Sequence, residues 1–159
     1  MAGTQVSITV DDAEVQAALT RIAAFGATTM RETLVDVGES VLNSTRDRAR
    51  REESPDGVRW VDLSKRYAAR KAIKRPGRLK LQYDLHMLGD QFAYQVGDGY
   101  VDIGTNAPYG AIQQFGGRPG MAPGPAAIKA REWLGLSSQD QADVIDILSE
   151  HLQAAIDGR

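Results

Sequence analysis

The sequence predicts an α+β domain in which a long N-terminal helix and a C-terminal helix pack on a small, mainly antiparallel β-sheet. Three patterns carry that expectation. Val15, Leu19, Ile22, Gly26, Met30, Leu34, Val37 and Val41 recur at steps of three and four, one helical stripe over about seven turns. Val144, Ile145, Leu148, Leu152 and Ile156 repeat the pattern near the C-terminus. Between them, FAYQVGDGYVDIGT, residues 92–105, alternates with period two on both sides of an Asp-Gly pair.

In chain order, Gln5 to Val10 alternates and reads as a short edge strand, after which Asp11 or Asp12 supplies an N-cap for the long helix. Gly26 and Gly38 interrupt that helix at about 1 kcal/mol each, and a break is expected near residues 25–28. Past Arg50 the pattern gives way to a connecting loop, about 51–63, in which Pro55, Asp56 and Gly57 mark a turn before Trp60. Ser64 can cap a second helix through Tyr67, Ala68 and Ile73, which Pro76 and Gly77 end. Leu79 to Leu88 is expected to be helical and to lead into the first strand.

Asp98 and Gly99 suit a type I′ turn, whose twist matches antiparallel strands. Pairing Gly97 with Tyr100 places Val96 opposite Val101, Tyr94 opposite Ile103 and Phe92 opposite Thr105 on an apolar face, with Ala93, Gln95, Asp102 and Gly104 on the other. The run from Gly116 to Pro125 holds four glycines and three prolines, so about 116–127 reads as an exposed, mobile loop. Ser138 with Gln141 forms a capping box for the last helix, which ends by Gly158. Residues 1–159 contain no internal repeat and fit a single domain.

Cysteine is absent, which excludes disulfides and thiolate metal sites, and only His86 and His151 offer an imidazole base. Both fall in stretches read as amphipathic helix, with no nucleophile elbow beside them. The GDGYVD run at Gly97 lies between strands and has Asp102 where a dinucleotide fingerprint needs a small residue. A hydrolase would therefore require carboxylates or histidines gathered from distant segments. No export leader and no apolar run of membrane-spanning length is visible, so a cytoplasmic protein is expected.

The net charge of −2 conceals a division. Residues 46–80 carry thirteen Lys/Arg against five Asp/Glu, a net of +8, while the rest of the chain carries −10. Lys65, Arg66, Arg70, Lys71, Lys74, Arg75, Arg78 and Lys80 crowd the second helix and its sequel. Such a cluster is ordinarily a solvated surface; it also suits pairing with an acidic surface or sequence-independent contact with nucleic acid, since no base-reading motif accompanies it.

Three segments share a family resemblance in order: ESPDGVRWVDLS (Glu53–Ser64), IGTNAPYGAIQQFGG (Ile103–Gly117) and AREWLGLSSQD (Ala130–Asp140). Together they resemble the tailed-phage virion morphogenesis, or tail completion, family of Mu-like and P2-like phages and prophages, over most of the chain from Arg46 onward. The resemblance implies a non-enzymatic structural protein without cofactor, acting in tail completion and head-tail joining. The implied partners are other phage tail or neck proteins and further copies of itself in a ring, without membrane contact. The implied location is the bacterial host cytoplasm during assembly and then the virion. Trp60, Tyr109, Phe115 and Trp133 are the candidate interface residues, with core packing an equal alternative for each. The alternative function is a DNA-binding accessory protein using the basic segment 46–80.

Overall fold

A computed structural model describes residues 27–83, 86–120 and 128–157, together with Ala17 and Thr20, both helical. Its elements are α1 (Ala27–Arg51), α2 (Lys65–Lys74), a π-helical turn (His86–Asp90), β1 (Phe92–Val96), β2 (Val101–Thr105), α3 (Gly110–Phe115) and α4 (Ser138–Asp157). The arrangement is α+β, as the sequence predicts. The strand expected over 5–10, the helix start at Asp11 or Asp12, the break around Gly26 and the stop at Gly158 lie outside the described residues.

Helix α1 is the spine, packed against α4 and against both strands of the hairpin. Its buried stripe contains Val37, Val41, Leu42 and Ala49, as periodicity requires, but also Thr33, Thr45 and Arg48. Thr33 is accommodated because its hydroxyl donates to Thr29 C=O at 2.8 Å, one turn back. Leu42, Ala49, Trp60, Met87, Phe92, Ala107 and Trp133 close one core, with Phe92 and Trp133 edge to face at 5.5 Å between ring centroids. Gly38 lies where α1 meets the hairpin. A Cβ there would stand 2.6 Å from Tyr94 Cδ2, so only glycine allows this approach.

The hairpin has the predicted register: Phe92 pairs with Thr105, Tyr94 with Ile103 and Val96 with Val101. Phe92 is buried, Tyr94 and Val96 are half-buried, and Ala93 and Gln95 are exposed. The turn differs from type I′. Gly99 has φ of 77° while Asp98 keeps a negative φ, so glycine alone takes the left-handed conformation.

The helix expected over Leu79 to Leu88 is absent as such. Residues 79–83 form turns, and the π-helical segment begins only at His86 and contains a non-helical Gly89. Side chains from elsewhere capture the backbone groups that a helix would use. Lys71 Nζ donates to Leu79 C=O and, at 3.0 Å, to Lys80 C=O, while Lys80 N–H donates to Glu52 Oε1 at 2.7 Å.

The start of α4 is also shifted by one residue. Ser137, not Ser138, is the cap: its Oγ accepts Asp140 N–H at 3.1 Å, and Asp140 Oδ2 accepts Ser137 N–H at 2.7 Å. Asp140 wins because the same carboxylate meets Arg48 at 2.5 Å in the interior. The apolar face expected on α4 is only partly covered by the described residues, for Val144 is half-buried but Ile145, Leu148 and Leu152 are exposed.

Candidate assembly interface

The four aromatic candidates divide into two pairs. Trp60 and Trp133 are interior residues, 5% and 3% exposed, and each indole N–H is satisfied: Trp60 Nε1 donates to Glu132 C=O at 2.9 Å and Trp133 Nε1 to Gly110 C=O at 3.2 Å. Tyr109 and Phe115 bracket the single short helix α3 at the surface, 39% and 81% exposed.

The segment 51–64 positions Trp60 through local bonds. Helix α1 ends at Arg51; the next residue, Glu52, is the one non-glycine described residue with positive φ (60°), and Glu53 N–H returns to Arg48 C=O at 3.1 Å. Glu53 and Arg59 then form an isolated antiparallel bridge around the Pro55–Gly57 turn, and Trp60 N–H donates to Glu52 C=O at 2.8 Å. Lys80 locks this corner, with Nζ 2.9 Å from Trp60 C=O, 3.3 Å from Glu52 and 3.0 Å from Asp62. Val58 and Val61, on either side, are left exposed.

Helix α3 is fixed from below. Gln114 acts as a clamp: Oε1 accepts the N–H groups of Trp133 and Leu134, at 2.9 and 3.0 Å, while Nε2 donates to Leu134 C=O at 2.9 Å. Arg131 N–H donates to Gln113 C=O at 2.7 Å, and Gly117 N–H to Ile128 C=O at 2.8 Å. Gly116 turns the chain here with φ of 77°, and a Cβ would meet Ile128 O and Ala130 N at 3.0 Å. The residue after the clamp, Phe115, consequently projects from a base that is bonded in place. Residues 116–120 follow this turn; 121–127, the rest of the loop expected to be mobile, lie outside the described residues.

The basic cluster also divides. Lys65, Arg66, Arg70, Lys74, Arg75 and Arg78 are exposed on α2 and the turn after it. Lys71 is buried, and burial lowers its ammonium below the usual lysine range, against an opposing contribution from Glu52. Lys80 is the corner lock already described. Helix α2 thus turns Lys71 inward and leaves Ile73 83% exposed, the reverse of what hydropathy suggests. Ser64 caps it as expected, accepting Tyr67 N–H at 3.4 Å.

Sequence reasoning missed two interior cations. Arg131 is buried, donating to the carbonyls of Val61 at 2.9 Å, Asp62 at 3.0 Å and Lys129 at 3.3 Å, and so ties the Trp60 loop to the Trp133 segment. Burial draws its guanidinium down, opposed by Asp62 and Glu52. Arg48 meets Asp140, Ser44 Oγ, Thr45 Oγ1 and Gly135 C=O. Burial pushes the Asp140 carboxyl up, but hydrogen bonds from Ser44 and Ser137 and the Arg48 charge outweigh it, leaving Asp140 below the usual carboxylate range. An arginine next to a Trp-containing segment and an Asp three residues after a serine were the available signals.

His151 Nε2 lies 2.7 Å from Asp36 Oδ2, joining α4 to α1. Among the described residues no three His, Asp or Glu side chains gather as metal ligands, and no helix is long and apolar enough to cross a membrane.

The α+β frame ties together the buried Trp60 loop, the clamped aromatic corner and the Trp133 segment, the three stretches that carry the family resemblance in the sequence. The chain belongs to the phage virion morphogenesis family, whose model matches residues 10–153. It is 32% identical over 121 residues to the "Putative capsid assembly protein G" of Escherichia phage Mu, spanning 74% of this chain and 76% of that protein. It is also 44% identical over 54 residues to the "Mu-like prophage FluMu G protein 2" of Haemophilus influenzae, covering 34% of this chain and 38% of that one. No solved structure matches the chain.

Proposed function

We propose that this phage morphogenesis protein is a non-enzymatic component acting in tail completion and head-tail joining. Phe115 carries the reading. An aromatic side chain 81% exposed at the end of a helix fixed by Gln114 is costly to leave in water and ready to seat in a neighbour's pocket. The partners proposed are other tail or neck proteins and further copies of the chain. A ring of identical subunits needs two different complementary patches, and the basic surface of α2 together with the acidic balance of the rest of the chain suits that need. Assembly would begin in the host cytoplasm and end with the protein in the virion. The phage Mu relative carries a capsid assembly name, which fits a protein working where heads and tails meet.

Electron microscopy of particles made without the protein tests this. Filled heads and separate tails that fail to join, or tails with abnormal ends, are expected. Loss of heads would overturn the joining role, and normal infectious particles would remove the assembly role altogether.

A second reading, sequence-independent DNA contact, has one specific observation in its favour. Lys65 and Arg66 stand in the first turn of α2, which has no acidic residue. Cations there oppose the helix dipole by about 0.3–1 kcal/mol each, so stability does not account for their placement. Retention of nonspecific DNA that weakens steeply with salt supports this reading, and absence of such retention at moderate ionic strength rejects it.

A further inference from the structure

Two adjoining cavities border the start of α2. The first, about 370 Å³, lies between Leu63 and Ser64 ahead of the helix, Gln113 on α3, and Ile128 and Arg131 on the segment that leads to Trp133. The second, about 280 Å³, is lined by Ser64, Arg66, Tyr67 and Arg70. Ser64 and Tyr67 line both, so the two share a wall and form one cleft. The first cavity holds polar groups that the fold does not use. Gln113 Oε1 is buried and, among the described residues, has no hydrogen-bond partner. A carboxamide oxygen left dry and unbonded costs stability and is rare in folded proteins, so its retention calls for an explanation. Arg131 is the matching donor. Of the five N–H groups of a guanidinium it gives three to the carbonyls of Val61, Asp62 and Lys129, and two remain. The charge is one-sided. Asp62, the one carboxylate among the described lining residues, is paired with Lys80 at 3.0 Å, which leaves Lys129 and Arg131 at the first cavity and Arg66 and Arg70 at the second.

We propose that this cleft takes one unpaired nucleotide of single-stranded DNA, with its base in the first cavity and its phosphate in the second. The proposal rests on the second reading above, in which α2 meets DNA, and adds the form of the DNA and the residues that receive it. Every base carries both a donor and an acceptor on its pairing edge, which the spare Arg131 N–H groups and Gln113 Oε1 complement without selecting a sequence. Leu63 and Ile128 supply apolar walls and Tyr67 an aromatic one, the surroundings on which an unstacked base settles. The first cavity also lies within the range of pockets that enclose small organic ligands, about 300–1,000 Å³. Arg66 and Arg70 stand four residues apart on one face of α2, with the Arg70 guanidinium 5.6 Å over the Tyr67 ring, and suit a phosphate. Acidic side chains of a protein partner match the charge but only accept hydrogen bonds, which leaves Gln113 Oε1 unpaired. A base stacked and paired in a duplex cannot enter, so the cleft prefers single strands.

Fluorescence anisotropy of a labelled thymidine strand of about ten nucleotides, measured on the full-length protein, tests the proposal. The strand should bind at least about tenfold more tightly than a duplex of the same length at equal salt. Gln113→Leu should weaken strand binding about tenfold and leave duplex retention unchanged. That variant should also melt no lower than the native protein, because it removes a buried unpaired acceptor; a glutamine with a purely structural role would show the reverse of both results. Should Gln113→Leu fail to fold, the side-chain amide resonances of Gln113 in the native protein decide: they should shift on addition of thymidine monophosphate, and unmoved resonances would overturn the proposal. Equal binding of strand and duplex would overturn it and leave the DNA reading standing, whereas loss of salt-sensitive retention for both would reject the two together. Displacement of the strand by polyglutamate as effectively as by unlabelled strand would assign the cleft to an acidic protein segment and likewise overturn the proposal.

Discussion

Gly38 shows how one position can oppose its own element. Glycine weakens a helix by roughly 1 kcal/mol relative to alanine, yet here the Tyr94 ring occupies the space of a side chain, with Cγ 2.7 Å from the position of a Cβ. Gly38→Val should therefore lower stability by about 1–3 kcal/mol in urea unfolding, and Tyr94→Ala in the same chain should recover part of that loss. Asp140 gives a second prediction at this scale. It is 2% exposed and its carboxylate holds Arg48, so Asp140→Ala should cost about 3–5 kcal/mol at pH 7 by leaving a buried guanidinium uncompensated. Because the folded protein holds this carboxyl below its ordinary value of 3.8, its contribution is complete above that pH and is lost as pH falls through the lower folded value. Acid titration of unfolding should show that loss in the native protein and not in Asp140→Ala.

At the scale of elements, the hairpin and α3 behave differently. The hairpin register follows from the alternation of Phe92, Tyr94 and Val96 against Val101 and Ile103, because a one-residue slip would expose all of them. Helix α3 is six residues long and owes its position to Gln114 and Gly116, which no periodicity reveals. The two aromatic residues tied to it should consequently separate in experiment. Trp133→Ala should destabilise the fold by about 3–5 kcal/mol, whereas Phe115→Ala should stay within about 0.5 kcal/mol of the native protein. Complementation by the Phe115 variant should nevertheless give fewer joined particles. Thermal unfolding and particle counts measure the two effects independently.

For the whole molecule, the division of charge becomes a division of surface. Six of the eight clustered cations reach solvent, and Lys71 and Lys80 instead hold the chain around residues 79–80 and Trp60. Changing Lys65 and Arg66 together to Glu should leave the fold near its native stability, since the first turn of α2 favours the new charges. The same change should abolish joining. If α2 faces protein, acidic-to-basic changes on the partner should restore assembly; if it faces DNA, they should not, and a salt-sensitive retention of DNA should disappear. Lys71→Glu should by contrast unfold the protein, for it places a carboxylate against two backbone carbonyls.

The sequence by itself determined what depends on near neighbours. Periodicity set the faces of α1, alternation set the hairpin register, Ser64 set the start of α2, and the three ordered segments identified the family. Tertiary structure decided whatever required groups distant in the chain to meet. It placed Trp60 and Trp133 inside and Phe115 outside, although all three are large aromatic residues in loop-like sequence. It turned Lys71, Arg48 and Arg131 inward because carbonyls and a carboxylate from other segments were there to receive them. It also set turns over 79–83 where the sequence leads one to expect helix, since a backbone group bonded to a distant side chain no longer serves a local helix. Local patterns report hydropathy and spacing; burial of charge is set by partners that are many residues away.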